Sequence, residues 1–215
     1  MTHRSAIAQQ AAAPDLLGWW YSDSLTGGAL TDRTGNGGHA ALIGNASVSG
    51  GCLTLLGGEG AAVVPVDLVG GLTKFTFATW INLDTAGHAN YGNILGTGDG
   101  SPTSWNFTCG IAIKVAGVKK TANFGHYADV WRHYAATVRL NGTNAEVAMY
   151  LNGGLLSIYG QPITASVIAA STYTAIGGFP SLYKTVPGYM DDIRIYASAK
   201  TASEITAIYA EAIHP

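Results

Sequence analysis

The sequence predicts an all-β protein, a sandwich of two antiparallel sheets with a short C-terminal α-helix. Short apolar runs recur about every 8–15 residues, separated by turns rich in Gly, Asn, Asp and Ser, a spacing typical of sandwiches. Only one segment, close to the C-terminus, has the periodicity of a helix. A parallel sheet is excluded because it would need helical crossovers between its strands. The many turns account for the 29 glycines among 215 residues, about twice the usual share.

The strand pattern begins at Leu17, which places residues 1–16 in an N-terminal arm and residues 17–215 in one domain. Thirteen runs have strand character: Leu17–Tyr21, Ala40–Ile43, Cys52–Leu56, Ala61–Val64, Lys74–Leu83, Asn93–Gly96, Trp105–Val115, Val118–Phe124, Trp131–Leu140, Ala145–Leu151, Leu155–Tyr159, Tyr173–Ile176 and Tyr189–Tyr196.

One hairpin is predicted in detail. In Ala145–Leu151 apolar residues alternate with the others, which predicts one face in the core and the opposite face, with Ala148 and Tyr150, in water. Asn152–Gly153 then supplies the two residues of positive φ that a type I′ turn requires. The turn joins this strand to Leu155–Tyr159.

The C-terminal segment combines a strand with the single helix. Gly188–Tyr196 alternates, with Ile193 and Ile195 on one face. In the helix that follows, Thr201 is a suitable N-cap, and Glu204 stands at the position that completes a capping box. Three residues form its apolar stripe: Ile205, Ile208 and Tyr209.

Composition excludes several classes of partner. The net charge is −2 and only 11% of residues are charged, which gives no electrostatic reason to expect nucleic acid or an anionic membrane surface. No stretch approaches the 18 apolar residues of a membrane span. Gln9 and Gln10 interrupt the one apolar stretch of the arm, so no secretory signal peptide is predicted. Cys52 and Cys109 permit one disulfide, although two buried thiols are favoured.

Five motifs follow one another along the chain. They are the Asp-x-Thr-Gly-Asn-Gly turn in Asp32–His39, the Phe-Thr-x-x-x-Trp strand in Phe75–Ile81, the Trp-x-His strand in Trp131–Thr137, the hairpin Met149–Gly153 and the C-terminal strand and helix. In this order they resemble LamG-like (concanavalin A-like) jelly-roll domains, and the resemblance extends from about Leu17 to Tyr209. It implies a jelly-roll sandwich that often holds carbohydrates, proteins or other surfaces and often carries a calcium ion.

The carboxylates do not fit a glycosidase. The related glucanases use a Glu-x-Asp-x-x-Glu strand, and retaining hydrolysis needs two carboxylates about 5–5.5 Å apart. None of the four glutamates has a carboxylate at such spacing on its strand, and the side chains of Asp191 and Asp192 leave opposite faces. No Gly-x-Ser-x-Gly or HxxxH pattern is present. A non-catalytic protein is therefore predicted.

Calcium is the one cofactor considered. Its ligands are hard oxygens from flexible turns, and the candidates are Asp32, Asp99 and Asp191. The alternative, which is favoured, is that Asp32 and Asp99 close Asx turns and that Asp192 pairs with Arg194 on the strand.

Glycan contacts are expected in two long loops, Asp84–Ser104 and Phe179–Gly188, because binding residues concentrate on loops. Aromatic rings that stack on sugars and amides that bond hydroxyls lie in or beside them: Tyr91, Trp105, Asn106, Phe179 and Tyr183. The alternative is that these aromatics cover the ends of the sandwich. Core or sheet-covering positions are predicted for Trp19, Trp20 and Trp80, and a packing role for His133.

Two functions agree with these features. The first is a structural or adhesive module on a bacteriophage virion, as a capsid-decoration or fibre-type protein. Its partners would be other copies of itself, capsid or tail proteins and a cell-surface polysaccharide. This hypothesis rests on analogy with stand-alone domains of the type. The alternative is a carbohydrate-binding lectin module, which is compatible with the first. A glycoside hydrolase is disfavoured.

Overall fold

A computed structural model describes residues 13–56, 59–84, 92–97, 105–108, 113–115, 118–120, 128–163, 166–168, 170–181 and 185–211. Its elements are β1 (Leu16–Thr26), β2 (Ala29–Asp32), β3 (Ala40–Gly44), β4 (Ser47–Ser49), β5 (Cys52–Thr54), β6 (Gly60–Val64), β7 (Lys74–Leu83), β8 (Asn93–Gly96), β9 (Asn106–Thr108), β10 (Ile113–Val115), β11 (Val118–Lys120), β12 (Arg132–Leu140), β13 (Asn144–Leu151), β14 (Gly154–Pro162), β15 (Thr174–Ile176), β16 (Gly188–Tyr196) and α1 (Ala202–Glu211).

The strands form two antiparallel layers, which confirms the predicted jelly-roll-like sandwich with one short helix. The first layer has the order β1-β16-β7-β12-β13-β14, and β2 continues from β1 into the second layer, β2-β3-β6-β15-β8-β9-β10-β11. The two layers face each other: the Phe77 ring on β7 lies 4.4 Å from the Phe107 ring on β9. The short pair β4–β5 is attached to β16.

The main core lies between the layers and is rich in aromatic rings. Trp20, Phe75 and Phe107 are fully buried in it. The buried indole N–H of Trp20 has a hydrogen-bond partner, because Nε1 donates to the Gly38 carbonyl at 2.8 Å. Tilted ring contacts within this core hold β7 against β9. These contacts fix the relation between the layers.

A second apolar cluster lies on the outer face of the first layer, under α1. It contains Leu16, Trp19, Tyr21, Ala78, Ala135, Ala148, Tyr150, Tyr196, Ile205 and Ile208. The prediction that Ala148 and Tyr150 face water is therefore wrong, since they are only 6% and 5% exposed. The reason is that the apolar stripe of α1 covers this face, a long-range contact that strand periodicity does not reveal.

Two local motifs around α1 agree with the sequence analysis. Asn152 and Gly153 have φ of 49° and 76°, as a type I′ turn requires. The capping box is formed: the Thr201 N–H donates to Glu204 Oε2 at 2.7 Å, and the Glu204 N–H donates to Thr201 Oγ1 at 3.3 Å. The turn also meets the helix, because Thr206 Oγ1 donates to the Gly153 carbonyl at 3.0 Å.

Trp80 and His133 extend the packing under α1. The Trp80 ring stacks on the Tyr209 ring of the helix, with 5.5 Å between the ring centres. The Trp80 and His133 rings meet edge to face, also with 5.5 Å between their centres. Trp80 is 4% and His133 1% exposed, which confirms the covering and packing roles predicted for them. Burial, and then the positive charge of Arg194, lower the pKa of His133 to about 3, so its imidazole is neutral at physiological pH.

Some strand bounds differ from the prediction. β1 runs on to Thr26, five residues beyond the predicted end, and the predicted set lacks the short strands β2 and β4. Cys52 is buried in β5, while Cys109 lies outside the described residues. No helix in the described ranges is long and apolar enough to cross a membrane.

Replacing Trp80 by Ala should lower the free energy of unfolding by about 3–5 kcal/mol, because a buried indole between sheet and helix leaves a cavity. Urea denaturation measures this change. The matched control is Val130→Ala, at a side chain 46% exposed, with an expected change within about 0.5 kcal/mol. Equal midpoints for the two variants would contradict the packing described.

The neutral His133 should make stability depend on pH. The folded pKa is depressed, so between about 6.5 and 3 the unfolded chain takes up a proton that the folded chain refuses. The stabilisation is complete above pH 6.5 and is lost as pH falls, by up to about 1.4 kcal/mol per pH unit. In His133→Phe this slope should be smaller than in the wild type. The free energy of unfolding is measured by denaturation of both proteins at pH 4, 5 and 6. An equal loss of stability in the two proteins as pH falls would contradict the prediction.

Candidate functional site

Of the four loop aromatics predicted to contact a glycan, the structure describes two, and both are buried. Trp105 is fully buried, with its ring 4.9 Å from Phe75 and 6.1 Å from Phe107. Phe179 is 1% exposed. Their predicted place on an exposed rim is thus corrected: both rings are buried, and that of Trp105 belongs to the core between the layers.

Of the other three residues predicted to contact a glycan, the structure describes one. Asn106 begins β9 and is half-buried. Tyr91 and Tyr183 lie outside the described residues, as do large parts of the two loops. A loop-rim site is therefore represented in the structure by Asn106 and remains a prediction for the rest.

Asp32 organises a turn. Its Oδ1 accepts from the N–H groups of Trp19 at 3.2 Å and Thr34 at 3.0 Å, and its Oδ2 accepts from the Gly38 N–H at 3.1 Å. The Thr34 hydroxyl donates to the same carboxylate. This is the Asx-turn arrangement predicted as the alternative to calcium binding.

Of the two remaining acidic candidates, the structure describes only Asp191. Asp191 is 1% exposed, and its Oδ1 accepts from the Ser22 N–H at 3.1 Å; Asp99 lies outside the described residues. Within the described ranges no group of three or more His, Cys, Asp or Glu side chains could hold a metal ion. The carboxylates of Asp32 and Asp191 thus serve backbone donors and do not fit calcium, which needs several converging oxygens.

The predicted Asp192–Arg194 pair is confirmed and is buried. Arg194 donates from Nε to Asp192 Oδ1 at 2.7 Å and from Nη2 to Oδ2 at 2.9 Å. The Trp19 indole donates to Oδ1 at 2.8 Å, and its ring lies 5.0 Å below the guanidinium. Asp192 has a φ of 46°, at a bulge between β16 and β7. Burial acts to lower the pKa of Arg194, but the Asp192 carboxylate outweighs burial and raises it.

Beside this pair lies a pocket of about 220 Å³ between α1 and the outer face of β1 and β16. Aromatic, cationic and anionic groups meet in it. Its lining is Ala13, Leu16, Trp19, Arg194, Tyr196, Lys200, Glu204, Ala207, Ile208 and Glu211. We call this the α1 pocket.

The charges of the α1 pocket are arranged in pairs. Lys200 Nζ lies 2.8 Å from Asp15 Oδ2 and 3.7 Å from Glu204 Oε1, and 4.7 Å from the centre of the Tyr196 ring. Burial raises the pKa of Tyr196, so its phenol keeps the proton at neutral pH. The pocket thus offers several hydrogen-bond donors and acceptors beside flat rings, a combination suited to a polyhydroxylated ligand.

The exposed carboxylates of Glu204 and Glu211 complete the rim. Their side chains are 50% and 48% exposed, and Glu211 Oε2 lies 3.5 Å from Arg194 Nη1. They stand seven residues apart on the helix, which corresponds to about 10.5 Å of helix rise. Hydrogen bonds from Thr201 lower the pKa of Glu204, opposite to the shift that a general acid needs. Glu204 therefore does not match the general acid of a glycosidase pair.

The sequence analysis missed this pocket. Six of its residues lie within the last strand and helix, but Ala13, Leu16 and Trp19 come from the other end of the chain. The alternation of Arg194 and Tyr196 on one strand face was the available signal. Only the pairing of β1 with β16 brings Trp19 opposite Arg194.

Solved structures with the same fold come from several kinds of protein. The receptor-binding domain of botulinum neurotoxin C/D mosaic serotype superposes with a TM-score of 0.67 and 14% identity over 91% of this chain, which spans about half, 51%, of that domain. A Trypanosoma rangeli sialidase in complex with 2,3-difluorosialic acid gives a TM-score of 0.70 and 16% identity, over 93% of this chain and 33% of the sialidase.

A third structure matches over almost its whole length. Domain 4 of AbnA, a GH43 extracellular arabinanase from Geobacillus stearothermophilus, in complex with arabinotriose, has a TM-score of 0.61 and 16% identity, with 91% of this chain and 98% of that domain covered. At these identities the likenesses concern the fold.

The family assignment comes from the sequence. No curated protein matches the chain, but a laminin G-type family model does, over residues 56–206. This range is more than half of the chain and includes β7, β12, the β13–β14 hairpin and β16. The chain therefore belongs to the concanavalin A-like lectin/glucanase superfamily.

Proposed function

We propose that this protein is a non-catalytic carbohydrate-binding module. The observation that carries the proposal is the correspondence with the arabinanase domain: this chain covers 98% of a domain whose structure was solved in complex with arabinotriose. A Trypanosoma rangeli sialidase in complex with sialic acid also shares the fold, over 33% of its length.

The α1 pocket is the proposed ligand site. The Trp19 and Tyr196 rings form its aromatic floor. The Lys200 ammonium and the half-exposed carboxylates of Glu204 and Glu211 can form hydrogen bonds with sugar hydroxyls. Arg194 supplies a rigid wall, because its bidentate bond to Asp192 fixes the guanidinium. Groups held in place in this way lose little entropy when a ligand binds.

Binding without turnover also agrees with the acid–base groups of the site. The pKa of Glu204 is lowered by its bonds from Thr201. His133 lies under α1 behind Trp80, neutral and 1% exposed, where no ligand reaches it. The described residues of the pocket thus bind and orient a ligand and offer no matched acid and nucleophile.

Attachment to a virion surface, with capsid or tail proteins as partners, stays a prediction from the sequence. No observation on the fold or on similar proteins favours it over display on another surface. A glycan-binding module would suit such a setting as an adhesin, so the proposed chemistry does not depend on it.

Purified protein should bind an oligosaccharide on a glycan array that includes arabino-oligosaccharides and sialylated glycans. Isothermal titration of the best ligand should give a dissociation constant in the micromolar-to-millimolar range, about −4 to −8 kcal/mol. Prolonged incubation should release no reducing sugar, since the catalytic pair is missing from the pocket. An array without any specific signal, or measurable hydrolysis, would contradict the proposed function.

The location is tested by Glu211→Ala. Loss of a charged hydrogen-bond acceptor costs about 1.5–3 kcal/mol, so the affinity should fall roughly tenfold or more. Glu146→Ala is the matched control, because Glu146 is an exposed glutamate on β13 outside the pocket. If both variants bind the ligand like the wild type, the ligand site is not the α1 pocket and the loop rim becomes the site to probe.

A further inference from the structure

The charged groups of the α1 pocket do not balance. In the described part of the chain two cations line the pocket, Arg194 and Lys200. Each forms its shortest ion pair with an aspartate: Arg194 Nε lies 2.7 Å from Asp192 Oδ1, and Lys200 Nζ lies 2.8 Å from Asp15 Oδ2. The four side chains are between 1% and 26% exposed. These two pairs are therefore largely buried and have no net charge.

The carboxylates of Glu204 and Glu211 are left over at the rim. They lie farther from the same cations, at 3.7 Å from Lys200 Nζ and at 3.5 Å from Arg194 Nη1. Hydrogen bonds from Thr201 lower the pKa of Glu204, so its carboxylate is ionised at neutral pH. Since two cations face four carboxylates, the pocket has two negative charges in excess, and they belong to its most exposed side chains.

The C-terminal end of α1 adds to this negative potential. The helix dipole places partial negative charge on the last carbonyls, where a Lys, Arg or His side chain is usually favourable. The last turn of α1 has no basic residue and ends at the acidic Glu211. A glutamate at this position does not help the helix itself, but a cation bound there would interact favourably with its carboxylate and with the helix end.

The same arrangement disfavours an acidic ligand. The side chains of Arg194 and Lys200 are only 7% and 12% exposed, and both already have a carboxylate partner. A ligand carboxylate would have to approach them past Glu204 and Glu211, which repel it. A neutral sugar can donate hydrogen bonds to these glutamates but gains nothing from their charge.

We propose, on the basis of the carbohydrate-binding function proposed above, that the α1 pocket selects saccharides with protonated amines over neutral and acidic ones. The ammonium group forms charge-assisted hydrogen bonds with the rim carboxylates. Glu204 and Glu211 stand about 10.5 Å apart along the helix, so an oligosaccharide with several amines can engage both. Oligomers of glucosamine have this chemistry.

Isothermal titration with two oligosaccharides of equal length tests the proposal: oligomers of glucosamine and of N-acetylglucosamine, in which the same nitrogen is charged or acetylated. At about pH 6 amines are protonated and glutamates are ionised. The glucosamine oligomer should then bind about tenfold more tightly, because two exposed ion pairs each contribute modestly. This preference should decrease as salt is added, since salt screens exposed charges. A sialylated oligosaccharide should bind more weakly than either oligomer.

The double variant Glu204→Gln/Glu211→Gln should bind the two oligomers with affinities within about twofold of each other, because both excess charges are removed. Gln at position 204 can still close the capping box, and thermal melting checks that the variant is folded. The matched control is Glu59→Gln/Glu146→Gln, which removes two charges from exposed glutamates outside the pocket. It should keep the preference of the wild type.

The outcomes separate this inference from the proposed function. Equal affinity for the two oligomers, tighter binding of the sialylated oligosaccharide, or a preference that persists in Glu204→Gln/Glu211→Gln overturns the selection for amines and leaves carbohydrate binding intact. Failure of every saccharide to bind overturns both. Binding of a lysine-rich peptide without binding of the glucosamine oligomer also overturns both, and would indicate a protein ligand for the pocket.

Discussion

The pairing of the first strand with the last one is the constraint on which the rest of the molecule depends. It sets Trp19 opposite Arg194 and Leu16 opposite Tyr196. Arg194 is then buried, and the bidentate bond that it donates to Asp192, together with the Trp19 ring below it, offsets the cost of that burial. Removing one partner of such a pair typically costs about 3–5 kcal/mol, because the other charge stays behind uncompensated.

The helix buries a sheet face that would otherwise be exposed to solvent. Ile205 and Ile208 bury the outer surface of β1, β13 and β16, while Glu204 and Glu211, about one turn before and after Ile208, stand at the pocket rim. The same ten residues thus stabilise the sheet and shape the site. Stability and binding are coupled here, since a change that loosens α1 also opens the pocket.

The sequence by itself determined the features that local rules govern. The positive φ of Asn152–Gly153, the capping box of Thr201 and Glu204 and the alternation of β13 follow from spacing of a few residues. The sequence also predicted the burial of Trp20, the Asx turn of Asp32 and the Asp192–Arg194 pair, and its motifs indicated the superfamily.

Only the tertiary structure decided which faces and rings are exposed. Trp105 and Phe179 have the residue type of sugar-stacking groups but fill the core, and Ala148 and Tyr150 lie under a helix more than fifty residues away in the chain. Exposure depends on what packs from elsewhere, which no local period encodes. The α1 pocket joins the two ends of the chain, so its residues acquire a common role only when β1 has paired with β16.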